Sequence, residues 1–149
     1  ANDEETVKKN WEQLKLKEGK KSVLEGVPRS LPAMVKASRV QDKVAGVGFD
    51  WEEPHQVWEK VEEEIQELKH EVDNGNRENM ENEFGDVLFS LINYARFLKI
   101  NPENALEKTN KKFIKRFQYL EEKAKSLNKS LQDMSLREMD VYWEEAKKI

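Results

Sequence analysis

Cysteine is absent from the 149-residue sequence, which excludes disulfides, a thiolate nucleophile and cysteine-ligated metal. Histidine is almost absent. His55 and His70 are too few for a typical zinc site, and no acid or serine arrangement around them suggests a triad. Any metal must therefore be held by oxygen. The chain has no Gly-x-x-x-x-Gly-Lys-Ser/Thr loop, and Gly46-Val47-Gly48 lacks the remaining glycine and the strand of a dinucleotide fingerprint. No apolar run approaches the roughly 20 residues of a transmembrane helix. The stretch Ala1-Asn2-Asp3-Glu4-Glu5 has neither the basic start nor the apolar core of a signal peptide. A cytoplasmic protein without a membrane partner is the expectation, and Ala1 fits either removal of a methionine or a piece of a longer chain. A formal charge of -4 leaves no global basic field, so duplex nucleic acid is not an expected partner.

Proline (4) and glycine (6) are scarce, and 38% of residues are charged against 37% hydrophobic, a composition suited to long amphipathic helices. The fold expected is an all-α helical bundle. Residues 1–27 read as a charged N-terminal helix and linker, with Trp11, Leu14 and Leu16 as sparse apolar points. Residues 28–149 read as one all-α domain. Within it, Pro32 opens a helix that leaves at Gly46 and Gly48. Pro54 opens a second, with Trp58, Val61, Ile65, Leu68 and Val72 as its apolar seam, ending at Asn74-Gly75-Asn76. A third, from about Glu78 to Lys99, is apolar over most of its circumference and is expected to be central. Asn101-Pro102-Glu103 launches a fourth, with Leu106, Phe113, Phe117, Leu120, Ala124 and Leu127 as its stripe. Ser135 and Glu138 have capping-box spacing before a short fifth.

Two helices carry acids in unusual places. At about 100° per residue, Lys60, Glu64, Glu67 and Glu71 form a stripe about a quarter turn from the apolar seam of the second helix. On the third, Glu83, Asp86, Ser90 and Asn93 cut a polar stripe through an otherwise apolar surface. Like charges at this spacing repel, and unpaired burial costs far more. A cation removes the penalty, and four carboxylates facing each other across packed helices suit Mg²⁺ or Mn²⁺ rather than a soft metal. By pattern alone Glu63, Glu64 and Glu67 also fit a solvated acidic face, because acids make up about a fifth of the chain. Glu83 and Asp86 fit that explanation less well.

The fourth helix supplies the opposite charge. Lys108, Lys112 and Arg116 lie along one side with Lys111 and Lys115 nearby, a solvated basic face or a clamp for polyphosphate. Trp143 on the last helix is either core or a platform for a nucleobase.

The ordered block Glu63-Glu64-Ile65-Gln66-Glu67, then Glu83-Phe84-Gly85-Asp86, resembles the EExxE and ExxD signature of the MazG-type all-α nucleoside triphosphate pyrophosphohydrolases. Pro28-Arg29-Ser30-Leu31-Pro32-Ala33, Val47-Gly48-Phe49-Asp50-Trp51, Asn110-Lys111-Lys112-Phe113, Arg116-Phe117 and Met139 through Trp143 extend the resemblance, in order, over residues 8 to 149. The likeness is to the C-terminal half of MazG. It implies Mg²⁺-dependent hydrolysis of a nucleoside triphosphate to monophosphate and pyrophosphate. It also implies Glu64, Glu67, Glu83 and Asp86 as metal ligands, with Glu63 near the attacking water. Lys60, Glu63, Lys112, Lys115, Arg116 and Trp143 would line the nucleotide site, and a homodimer would complete bundle and site. Longer members carry a related upstream domain that has no counterpart here, and Asn79 and Asn82 stand where relatives often carry charge. The rival readings are a relative dedicated to one deoxynucleotide or to phosphoribosyl-ATP, and a non-catalytic helical dimerisation or regulatory module.

Overall fold

Short local signals set the helix boundaries. In the computed structural model, which describes residues 3–17, 19 and 21–149 and the side chains of all of these except 15–17, every regular element is helical. They are α1 (Asp3–Lys17), α2 (Ala33–Gly46), α3 (Pro54–Asn74), α4 (Arg77–Phe97), α5 (Pro102–Ser126), a 3₁₀ turn (Leu131–Asp133) and α6 (Leu136–Ala146). Leu16 is among the side chains outside that description.

Pro54 fits the first turn of α3 because the missing N–H is one that no helix would satisfy, and Glu53 and Gln56 close a capping box around it. The helix ends where Gly75 takes φ +75°, a left-handed conformation that a side chain would resist. Asn76 then caps α4, its Oδ1 accepting from the Asn79 N–H at 3.1 Å. So short a link makes α3 and α4 an antiparallel hairpin. At the other end of the chain, Ser135 Oγ accepts from the Glu138 N–H at 3.1 Å and starts α6.

Two compact units divide the chain, residues 1–103 and 104–149. In the first, α4 packs against both α3 and α2, and α1 packs against α2. Val57 and Val61 are completely buried and Ile92 nearly so. Each fully buried valine contributes about 1.5–3 kcal/mol. Buried Gln41 crosses from α2 to α4, its Nε2 donating to the Phe89 carbonyl at 2.9 Å. Arg96 on α4 holds the loop before α3 by donating through both guanidinium arms to Asp50, Nη1 to Oδ2 at 3.0 Å and Nη2 to Oδ1 at 2.5 Å. Asn93 Oδ1 accepts from the same guanidinium. Where α1 meets α2, Lys43 Nζ lies 2.9 Å from Oε1 of buried Glu12. A Cβ at Gly46 would fall 2.6 Å from Glu12 Cγ, so this approach requires glycine.

In the second unit Leu120, Ala124, Met134 and Ala146 are buried. The Tyr119 hydroxyl donates to Glu145 Oε2 at 2.8 Å, and Lys129 Nζ meets Glu138 Oε2 at 3.0 Å.

The apolar seam expected along α3 is only half covered. Val57, Val61 and Glu64 face inward, whereas Trp58, Ile65 and Val72 stay 43%, 42% and 52% exposed. The central place expected for the long apolar helix is likewise met on one side only. It has neighbours on two flanks, yet Phe84, Leu88, Phe89 and Leu91 remain open and Ser90 and Ile92 are its buried residues. A helix that is apolar all round needs partners all round, and α2 and α3 cover only part of the circumference.

Candidate active site

The α3–α4 hairpin turns two weak spacing motifs into one cluster. Glu64 lies one turn beyond Val61 and two beyond Val57 on the covered face of α3 and is itself buried. Glu83 and Asp86 come from the first half of α4, alongside it. Glu64, Glu83 and Asp86 each offer a carboxylate oxygen, all within 4.8 Å of one another. One oxygen of Glu64 and one of Glu83 are buried without a hydrogen-bond partner, although buried polar groups are nearly always satisfied. Lys60, one turn before Glu64 on α3, places Nζ 2.8 Å from Glu64 Oε1 and 3.5 Å from Glu63 Oε2.

The two inner acids titrate in opposite directions. The hydrogen bond from Lys60 holds the Glu64 carboxyl below the usual range; burial opposes this, while the charge of Lys60 and the neighbouring carboxyls of Glu83 and Glu67 reinforce it. The Lys60 ammonium is raised by the same bond with Glu64. Glu83 is pushed from 4.5 up to about 7, first by loss of solvent, then by the neighbouring carboxylates of Glu67, Glu64 and Asp86. Ion-free, the site thus carries an ionised Glu64 and a Glu83 that keeps its proton to near neutrality.

Glu67 is exposed and stands beside Glu83, outside the trio of close oxygens. Glu63 is solvent-facing and reaches Lys60. Ser90 and Asn93, which share a sequence stripe with Glu83 and Asp86, are engaged elsewhere. Ser90 Oγ donates to the Val87 carbonyl at 2.9 Å, and Asn93 supports Arg96. Asn79 extends the polar stripe instead, donating from Nδ2 to Glu71 Oε2 at 3.2 Å. Its position opposite the end of the Lys60–Glu71 stripe becomes visible only when the hairpin closes, since the loop fixes which residues face each other.

Lys112, Lys115, Arg116 and Trp143 belong to the C-terminal unit. Lys112 and Lys115 are exposed on α5 and Arg116 is half-buried. The half-buried Trp143 ring lies 5.0 Å from that of Phe113 at an interplanar angle of 54°, so one side of the indole is taken by packing.

The family model of the MazG nucleotide pyrophosphohydrolase domain matches residues 52–120, a span that includes all of α3 and α4 and most of α5. A Thermotoga maritima protein named nucleoside triphosphate pyrophosphohydrolase/pyrophosphatase MazG is 42% identical over 93% of this chain and 54% of its own length. An Escherichia coli K12 protein named nucleoside triphosphate pyrophosphohydrolase is 36% identical over 99% of this chain and 59% of its own length. Bacillus subtilis YabN, named as uncharacterized, is 51% identical over 97% of this chain and 30% of its own length. The chain thus spans little more than half the length of the first two relatives and less than a third of the last. The helical fold, the paired acid motifs in their order and the agreement over nearly the whole chain converge: this chain carries a MazG nucleotide pyrophosphohydrolase domain.

Proposed function

We propose that this chain hydrolyses ribo- or deoxyribonucleoside triphosphates to the monophosphate and pyrophosphate, with Mg²⁺, or Mn²⁺ in its place, as the cofactor. The observation that carries the reading is the pair of partnerless buried oxygens on Glu64 and Glu83, within a trio of carboxylates whose ligand atoms lie within 4.8 Å. The residues fit a hard divalent cation: all donors are oxygen, and an ion would satisfy atoms that nothing in the chain satisfies. Glu64, Glu83 and Asp86, with Glu67 at their side, would hold it. Once bound, such an ion neutralises phosphate charge and makes a water more acidic.

The chain's own residues do the rest. Glu63, exposed beside Lys60, is available to orient or deprotonate the attacking water. Lys112, Lys115 and Arg116 would stabilise charge on the departing pyrophosphate and Lys60 would line the nucleotide site, as phosphoryl transfer depends mainly on positioning and charge. Trp143 offers its unpacked side to the base. A homodimer accords with the apolar strip of Ile65, Val72, Phe84, Leu88 and Leu91 that one chain leaves open.

The test is to incubate the protein with each common ribo- and deoxyribonucleoside triphosphate and Mg²⁺, measuring pyrophosphate and orthophosphate separately. Pyrophosphate release that disappears in Glu67→Ala and Asp86→Ala is the expected result. Orthophosphate alone, or full activity in either variant, would falsify the reading. A sharp preference for a single substrate would mark a dedicated relative. The names of the similar T. maritima and E. coli proteins support the class of reaction. The alternative, a helical dimerisation module, predicts no turnover of any nucleotide.

A further inference from the structure

Lys60 and Glu64 form an ion pair that ordinary helix energetics does not account for. The lysine precedes the glutamate by four residues, the weaker of the two orders for a helical pair. An exposed pair of that kind contributes only a few tenths of a kcal/mol, too little to hold a long side chain in one place. The two ends are unequal, however. The Glu64 side chain is 7% exposed, whereas that of Lys60 is 38% exposed. What holds the pair together is the need of a buried carboxylate for a positive charge. Lys60 satisfies one Glu64 oxygen only, and the other remains buried without a partner. Its ammonium sits at the rim of the carboxylate trio, on a flexible stem that reaches solvent.

We infer that Lys60 is the resident counter-ion of the carboxylate cluster: it neutralises Glu64 while no divalent cation is bound, and leaves Glu64 for a phosphate oxygen of the substrate when one is. This rests on the reading of the trio as a cation site and goes beyond it by assigning one residue to two successive partners. A buried Glu64 in contact with both Lys60 and a divalent ion would crowd two cations at one carboxylate. Freed from it, the ammonium lies one helical turn from the site and within reach of a bound triphosphate. Glu63, 3.5 Å from the same nitrogen, gives the departing lysine a second anchor on the solvent side.

The experiment measures Mg²⁺ binding by calorimetry without nucleotide, in the wild-type chain and in Lys60→Met, Lys60→Gln and Lys60→Arg. Lys69→Met serves as a control for bulk charge, since Lys69 is turned about 140° from Glu64 around α3. With the competitor gone, Lys60→Met and Lys60→Gln are expected to bind Mg²⁺ roughly two- to fivefold more tightly. Lys60→Arg should bind no more tightly than wild type, and Lys69→Met should match it. In chelator, the melting temperature of Lys60→Met should fall, and saturating Mg²⁺ should recover it. The εCH₂ resonances of Lys60 should move as Mg²⁺ is added to the wild-type chain. Unchanged affinity in both neutral variants, or an equal gain in Lys69→Met, overturns the inference while leaving the cation site standing. No Mg²⁺ binding in any variant overturns the site and the inference together.

Discussion

Residues 54–97 and residues 104–149 handle charge in opposite ways. In the α3–α4 hairpin a glutamate is buried next to two completely buried valines, while Ile65, Val72 and Phe84 face outward. In the C-terminal unit the buried residues are Leu120, Ala124, Met134 and Ala146, and Lys112 and Lys115 stand exposed on α5. On the proposed reading the difference separates two tasks. A buried acid is tied to a counter-charge at a fixed point, as a metal ligand must be, because the interior penalises it otherwise. An exposed lysine keeps its solvation and side-chain freedom and suits an anion that arrives and leaves.

The strongest way to break this contrast is to remove a fixed charge. Asp86→Ala is expected to lower pyrophosphate release at least about a thousandfold, with the loss in kcat rather than KM. Lys112→Ala should cost less, about ten- to a hundredfold in kcat/KM, and leave Mg²⁺ binding by calorimetry unchanged. If Lys112→Ala abolished Mg²⁺ binding, the division of labour would be wrong.

Packing tests the same contrast from the apolar side. Val61→Ala removes methyl groups from a fully buried site and should destabilise the chain by about 2 kcal/mol, read from urea denaturation. Val72→Ala, at a half-exposed site, should cost less than about 0.5 kcal/mol at dilute concentration. A larger, concentration-dependent loss at Val72 would place that strip in the proposed dimer contact. Ile65→Asp would then lower the mass found by sedimentation.

The smallest effect is a pH slope. Glu83 keeps its proton to about pH 7 in the folded chain, whereas in the unfolded chain it loses it near 4.5. The folded form therefore holds the extra proton between those values. Without metal, stability should fall as pH rises through that window and level off above it. Urea midpoints in chelator from pH 5 to pH 8 measure this, and Glu83→Gln should flatten the curve. Added Mg²⁺ competes with that proton, so its stabilising effect should grow over the same range.

Much of this was legible along the chain. Pro54, Gly75, Asn76 and Ser135 act within one turn of where they stand, so their caps and stops follow from local chemistry. The capping box of Glu53 with Gln56 is just as local, but it uses a glutamate where serine or threonine is the usual signal. The acid motifs could be read as spacing, though not as a site. Glu64 and Glu67 lie three residues apart, yet Glu64 is buried and Glu67 is exposed. A hundred degrees per residue gives the angle between two side chains and leaves open which way the helix is turned.

By itself the sequence determined that the chain is helical, where α3, α4 and α6 begin and where α3 ends, and that its acid motifs come in the order of the MazG family, because each of these depends on neighbours within a few residues or on the order of the chain. Only the tertiary structure decided that Glu64, Glu83 and Asp86 meet, that Lys60 turns to Glu64, and that Ile65 and Val72 are left uncovered. Those outcomes depend on how α3 is rotated against α4, and that rotation is set by burying Val57, Val61 and Ile92 together rather than by any one residue's preference.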